Sequence, residues 1–227
     1  MKVSEIFRSI QGEGPNMGRP AVFLRMALCN LACEWCDTKY TWDWKTYDYE
    51  KEVKEMNSEQ VKRELLRHDT RHLVLTGGEP MLQQKLLLPL LRSLKETGFF
   101  VEVETNGTII PTGEMVALVD QWNVSPKLEN SGNSISAREK PESYRFFNQL
   151  SKAYFKYVIQ SPEDLKEVQV LAEKYAIPLN RIILIPEAQT KEALAKNSEW
   201  LEQTSKQLGY SFSTRLHIQL WGNARGV

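Results

Sequence analysis

Short β-rich runs alternate with segments of helical apolar spacing from about residue 20 to the end of the sequence, and this alternation constrains the fold more than any other feature. The expected strands are Ala21–Met26, His72–Thr76, Phe100–Glu104, Gln121–Val124, Tyr154–Ile159, Arg181–Ile185 and Arg215–Leu220. Between them, apolar residues recur at helical spacing: Val61/Leu65, Leu86/Leu90/Leu94, Met115/Leu118/Val119, Tyr144/Phe147, Val168/Leu171 and Leu194/Trp200/Leu201. Local start signals support the helices. Asn57 with Gln60 reads as a capping box, Pro162 follows Ser161 at a first turn, and Thr190 precedes another helix. Strand–helix alternation implies parallel strands joined by crossover helices. A complete eight-fold barrel takes roughly 250 residues, so a 227-residue chain with loop insertions fits an incomplete (β/α) barrel of about six parallel strands.

No repeat, linker or low-complexity stretch divides the sequence, and one domain over residues 1–227 is expected. Lysine plus arginine number 29 and aspartate plus glutamate 29, so no basic excess argues for nucleic acid or an anionic membrane as partner. No apolar run approaches the ~20 residues needed to span a bilayer, and the first residues lack an apolar signal core. A cytoplasmic location is the expectation. The polar segment from Glu129 to Pro141 reads as a mobile surface loop.

The unusual residues cluster just after the expected strands: Cys29–Cys36, then Gly77-Gly78-Glu79-Pro80, Thr105-Asn106-Gly107, Ser125-Pro126-Lys127 and Trp221-Gly222-Asn223. The carboxyl ends of parallel strands form the active face of such folds, so these motifs are expected to converge.

The three cysteines of the chain all fall in Cys29-x3-Cys33-x2-Cys36, where a disulfide scaffold would use an even number spread along the sequence. A cubane iron–sulfur cluster normally takes four thiolates, one per iron. Three leave one iron open for a chelating ligand such as the amino and carboxylate groups of S-adenosylmethionine. Two other readings stand beside this one. One is a structural Cys3His zinc site completed by His68 or His72; the other is three small buried core residues.

Ahead of the cysteines, Gly12 and Gly14 are expected to form a tight turn that exposes Gln11 and Glu13, with Arg25 at the end of a strand aimed at the cluster. Amide, carboxylate and guanidinium together suit a heterocycle with donor and acceptor edges and a carboxylate substituent. The alternative is a polar turn with a structural Arg–Glu pair.

The segment Cys29-Asn-Leu-Ala-Cys33-Glu-Trp-Cys36-Asp37-Thr38 resembles the signature of the radical SAM superfamily, and Thr76-Gly77-Gly78-Glu79-Pro80 resembles its second motif. With Gln11-Gly-Glu-Gly, Arg25, Glu104-Thr-Asn-Gly, Ser125-Pro-Lys127 and the His217 region, nearly the full length is similar to the 7-carboxy-7-deazaguanine synthase family of 7-deazapurine and queuosine biosynthesis. The resemblance implies a [4Fe–4S] cluster on Cys29, Cys33 and Cys36, with S-adenosylmethionine and Mg2+ as further cofactors. It implies that Trp35, Cys36, Asp37, Gly78, Glu79, Ser125, Pro126 and Lys127 contact adenosylmethionine. Glu79 would hold its amino group. Ile10, Gln11, Gly12, Glu13, Arg25 and Thr76 would contact a carboxypterin substrate. Glu104 and Asn106 would stand between the two as catalytic residues, and Thr38 would ligate Mg2+, against a plainer reading as a loop cap.

The resemblance also implies an electron donor such as flavodoxin, and a homodimer. The aromatic stretch Tyr40–Tyr49, with Trp42, Trp44 and Tyr47, is expected either to cover the site or to pack on the surface. Two places depart from the pattern or stay open. Ile185-Pro186-Glu187 stands where the family often has Gln before Pro, and Val227 and His217 have no assigned role. The enzyme alternative is an activase that installs glycyl radicals in a partner protein. The alternative outside catalysis is a zinc-stapled or electron-transfer module.

Overall fold

The computed structural model describes residues 1–227. In chain order the elements are β1 (Lys2–Ile10), β2 (Pro20–Met26), α1 (Tyr49–Glu52), β3 (Lys54–Glu55), α2 (Ser58–Leu66), β4 (His72–Gly77), α3 (Gln84–Glu96) and β5 (Phe100–Thr105). There follow α4 (Gly113–Leu118), β6 (Gln121–Val124), α5 (Ile135–Arg138), α6 (Pro141–Gln149), β7 (Ala153–Ile159) and α7 (Pro162–Lys174). The last are β8 (Ile182–Pro186), α8 (Lys191–Leu208), β9 (Ser211–Phe212) and α9 (Leu216–Trp221). All nine strands form one sheet in the order β3-β1-β2-β4-β5-β6-β7-β8-β9. From β2 to β9 every neighbouring pair is parallel, whereas β1 runs antiparallel to both β2 and β3. The sheet does not close on itself. It is the expected incomplete barrel, with six full parallel strands and the two-residue β9.

Side chains alternate across each strand, and the two faces differ in kind. Val22, Leu24, Leu73, Leu75, Val101, Val103, Trp122, Val124, Phe155, Tyr157, Ile182 and Leu184 point outward into one apolar cluster of 36 buried residues. The helices complete that cluster with Val61 and Leu65, Leu87 to Leu94, Phe147, and Val168 and Leu171. Burial of this area drives the fold at about 25 cal/mol per Å2. The alternate positions point inward and are largely polar: His72, Glu102, Gln121, Asn123 and Lys156 are buried, and Glu104 is half-buried at the cavity. Inside the barrel they bond to one another. Glu102 accepts from Asn16 at 2.8 Å, from Gln11 at 2.5 Å and from Asn123, and pairs with His72 at 2.8 Å.

The start signals operate as read. Asn57 and Gln60 exchange bonds of 2.9 and 2.8 Å, and Thr190 accepts from the Ala193 N–H at 3.2 Å. Three expectations are corrected. Arg215–Leu220 is not a strand: residues 216–221 form α9, and β9 takes the sheet edge instead. In α3 the inward row is Leu87, Leu90, Leu91 and Leu94, and Leu86 faces solvent. Residues 129–141 do not hang free, because they contain a short turn and α5 and bond to the cysteine loop.

Candidate active site

Five of the parallel strands aim residues near their carboxyl ends at one cavity of about 430 Å3. Arg25 of β2, Thr76 of β4, Glu104 of β5, Lys156 and Val158 of β7 and Ile185 of β8 all line it. The loops that leave those ends add Cys29, Cys33, Trp35, Cys36, Asp37 and Thr38 on one side and Asn106, Ser125 and Lys127 on another.

The cysteine loop is directed by its first residues. Leu28 adopts a left-handed backbone (φ 76°), its N–H bonds to Thr41 O at 2.7 Å, and its carbonyl accepts from Glu79 N at 2.8 Å. A non-glycine residue in that region costs of order 1–3 kcal/mol and persists where surroundings enforce it. Gly78 packs directly on this turn; a Cβ there would lie 2.1 Å from Leu28 O and 3.0 Å from Cys29 Cβ. The close approach admits only glycine.

A chain of charges crosses the cavity floor. Lys156 Nζ lies 2.7 Å from Glu104 and 3.1 Å from Glu13, Arg215 Nε lies 2.9 Å from Glu13, and another Arg215 nitrogen bonds Asp37 next to Cys36. Burial works against ionisation of Glu13 and Asp37, yet the neighbouring cations Lys156 and Arg215 hold Glu13, and Arg215 holds Asp37, below the usual carboxylate range. Glu104 moves the other way: burial, with Glu102 and Glu13 nearby, raises its pKa despite Lys156. Burial also lowers the pKa of His217, which lines the same cavity.

A second set of contacts brings the chain's end to the site. Residues 222–227 line the cavity, and Arg225 bonds Glu5 at 3.0 Å and Glu52 at 2.8 Å, its guanidinium 3.6 Å from the centre of the Tyr40 ring. Glu5 also accepts from Arg25 at 2.7 Å and from the Tyr40 hydroxyl at 2.9 Å. Tyr40, Trp42 and Tyr47 face the cavity with the stacked pair Phe7 and Phe23, whereas Trp44 packs edge-on against Tyr49.

The three thiols fit a cluster. Each sulfur accepts an N–H: Cys29 from Leu31 at 3.5 Å, Cys33 from Asn133 at 3.3 Å, and Cys36 from Trp42 at 3.4 Å. Burial pushes the Cys29 thiol up to about 12 and raises that of Cys33; a bound cluster would hold them as thiolates. A zinc site with His72 or His68 does not fit. His72 opens β4 and pairs with Glu102, about 16 Å of strand away from the end where the cysteines sit, and His68 precedes the same strand start.

Of the residues expected at the site, Cys29, Cys33, Cys36, Trp35, Asp37, Thr38, Ile10, Gln11, Gly12, Glu13, Arg25, Thr76, Gly78, Glu104, Asn106, Ser125 and Lys127 line the cavity; Glu79 and Pro126 do not. Glu79 is fully enclosed, and its oxygens accept from Met81 N at 3.0 Å, Thr105 Oγ1 at 2.8 Å and Asn106 N at 2.7 Å. It ties two loops together. The turn at Gln11 does not expose that side chain either: its amide is buried and donates toward Glu102 and Glu104. Arg25 lines the cavity and pairs with Glu5 at 2.7 Å. Sequence reasoning missed Lys156, Arg215 and Arg225. The signal for Lys156 was a lone lysine inside an apolar run, Phe155-Lys156-Tyr157-Val158.

A family model for the radical SAM superfamily matches residues 24–187. The 7-carboxy-7-deazaguanine synthase of Pyrobaculum aerophilum is 40% identical over 227 residues, covering 100% of this chain and 97% of that one. The enzyme of the same name from Hyperthermus butylicus is 31% identical, covering 96% and 92%. Among solved structures, QueE from Escherichia coli superposes with a TM-score of 0.72 at 27% identity, covering 95% of this chain and 94% of that chain. Streptococcus suis SuiB shares the fold at a TM-score of 0.58 and 16% identity, covering 84% of this chain and 47% of that one. Three thiols on one loop, an enclosed glycine turn beside them and full-length similarity agree, and the chain belongs to the 7-carboxy-7-deazaguanine synthase family of the radical SAM superfamily.

Proposed function

We propose that the chain converts 6-carboxy-5,6,7,8-tetrahydropterin to 7-carboxy-7-deazaguanine with loss of ammonia, within queuosine and 7-deazapurine biosynthesis. The carrying observation is that the cysteine loop, the turn Ile10–Glu13 with Arg25 and Thr76, and Ser125 with Lys127 all line one cavity. When bound on Cys29, Cys33 and Cys36, the [4Fe–4S] cluster with adenosylmethionine would supply the radical chemistry for hydrogen abstraction at C6 of the pterin.

The chain's own residues bind, orient and shield. Lys127, donating to Ser125 at 2.8 Å and lying 5.4 Å from the Trp35 ring centre, offers a cation for the adenosylmethionine carboxylate. Gly78 lets its strand end pack directly on the Leu28–Cys29 turn that carries the first cluster ligand. Glu104, its pKa raised by burial, is poised to take or hold a proton at its carboxylate, with Lys156 beside it. Arg25 offers its guanidinium to the substrate carboxylate, steered by Glu5. Thr38 offers a hydroxyl to Mg2+, whose remaining ligands would come from substrate and water. Phe7, Phe23, Tyr40 and Trp42 exclude water from a reactive site.

One unit over residues 1–227, an electron donor such as flavodoxin, a homodimer and a cytoplasmic setting belong to the same proposal. No helix is long and apolar enough to cross a membrane. Exposed Leu82, Leu86 and Ile110 offer apolar surface to a second copy. The test is anaerobic reconstitution with iron and sulfide, followed by adenosylmethionine, dithionite, Mg2+ and the carboxypterin. A product with deazaguanine ultraviolet absorption is expected. Cleavage of adenosylmethionine without that product, from fully loaded enzyme, refutes the substrate assignment.

A further inference from the structure

The segment after β6 grips the cysteine loop from outside, and its grip reaches a sulfur. Ser131 O accepts from Glu34 N at 3.1 Å, and Asn130 Oδ1 accepts from the Trp35 indole at 3.1 Å. Between them Gly132 turns with φ 73°, where a Cβ would lie 2.6 Å from the Glu34 carboxylate. Asn133 then closes the contact. Its Oδ1 accepts from Ala32 N at 3.0 Å, which fixes the amide orientation and leaves Nδ2 to donate to Cys33 Sγ at 3.3 Å. Trp42 Nε1 donates to Cys36 Sγ at 3.4 Å. The donor to Cys29 is the backbone of Leu31 at 3.5 Å. Each cysteine sulfur thus has one N–H aimed at it, and two of the three come from side chains.

We infer that Asn133 and Trp42 are positioning residues that set the reduction potential of the cluster held by Cys29, Cys33 and Cys36. The inference rests on the reading of these cysteines as cluster ligands. One-electron reduction adds one negative charge, shared over the cluster sulfurs, and nothing else is gained or lost. An N–H pointed at a sulfur stabilises the more negative, reduced form and so raises the potential. Asn133 carries a second role in the same amide, since its oxygen holds the loop backbone. Trp42 is the cleaner probe, because phenylalanine keeps an aromatic ring on the cavity wall and removes the N–H.

The experiment is an anaerobic redox titration of the reconstituted full chain, followed by the electron paramagnetic resonance signal of the reduced cluster. Wild type, Trp42→Phe, Asn133→Leu and the double variant are compared, with iron and sulfide content measured for each. Each lost N–H is expected to shift the reduction equilibrium about tenfold toward the oxidised form, ~59 mV for one electron, and the double variant by about the sum. Midpoints equal to or above wild type in both single variants at full cluster content overturn the inference. Where Asn133→Leu fails to hold a cluster through the freed Ala32 N–H, the Trp42→Phe midpoint decides alone. A wild type that binds no cluster refutes the reading of the cysteines instead, so the two failures are distinguishable.

Discussion

Replacing Arg215 by methionine removes the joint between the cysteine loop and the barrel floor. The guanidinium bonds Glu13 at 2.9 Å, Asp37 through a second nitrogen and the Ala188 carbonyl through a third. Methionine fills similar space and satisfies none of them. Breaking a fully buried ion pair from one side costs about 3–5 kcal/mol, because the partner charge is left uncompensated. Two facts reduce that figure. Asp37 is 33% exposed, and Glu13 keeps Lys156 at 3.1 Å. The expected loss is therefore about 2–3 kcal/mol in urea unfolding of the cluster-free chain at pH 7. Arg215→Lys should recover only part of it, since one ammonium cannot span three acceptors in a fixed fork. A loss below about 0.5 kcal/mol for Arg215→Met would refute the claim that this residue joins loop to floor.

The same pair of carboxylates predicts a pH dependence. Glu13 and Asp37 titrate lower in the folded chain than in the unfolded one, so their stabilisation is complete above about pH 4 and is lost as pH falls through their folded values. The stability gap between wild type and Arg215→Met, measured by urea titration at pH 7, 5 and 3, should narrow toward the acid end; a gap that widens contradicts the sign. Glu79→Gln should cost about 2–4 kcal/mol in thermal or urea unfolding, because its NH2 would face N–H and O–H donors where the carboxylate accepts three bonds. An unchanged midpoint would mean these bonds are not formed. Arg225→Ala should change stability by under about 1 kcal/mol, since the side chain is 45% exposed, yet speed amide exchange in residues 222–227 and raise KM for the pterin. Equal exchange in both proteins would show that Arg225 does not hold the tail.

Which parts were legible in the sequence follows from where the information lies. Each of the six full parallel strands carries apolar residues along at least one face, and four of them (β2, β4, β5 and β6) end in unusual loop residues, so composition marks both the strand and, for those four, its active end. Lys2–Ile10 escaped because Lys2-Val-Ser-Glu-Ile-Phe-Arg-Ser-Ile lacks a continuous apolar run, and its pairing is antiparallel on the outer side of β2. Arg215–Leu220 misled because Leu216, Ile218 and Leu220 alternate with period two, and over six residues that pattern does not exclude a helical turn. Residues 129–141 look like a solvated loop by polarity. The side chains of Asn130 and Asn133 and the Ser131 carbonyl find partners on the cysteine loop, which only the tertiary arrangement reveals. Gln11 was expected to be exposed by the turn at Gly12 and Gly14; in a barrel with a polar interior, burial and hydrogen bonding coincide. The cavity residues supplied by motifs were legible. Lys156 and Arg215 were not, because each acts through partners distant in sequence.

The open sheet has a mechanical consequence. In a closed barrel, strand number and stagger fix the circumference. Here the sheet is a split ring, and the strand leaving β1 and the segment leaving β9 meet across the gap by a small clasp. Gly14 N bonds Ser213 Oγ at 2.9 Å, Leu216 N bonds Gly12 O at 2.9 Å, and Glu13 meets Arg215. The bore is therefore gauged by the few contacts of this clasp, one of them between backbones and two using side chains, rather than by a continuous ladder. Exchanges at residues 12–14 and 213–216 can retune the width of the cavity while every strand stays in register.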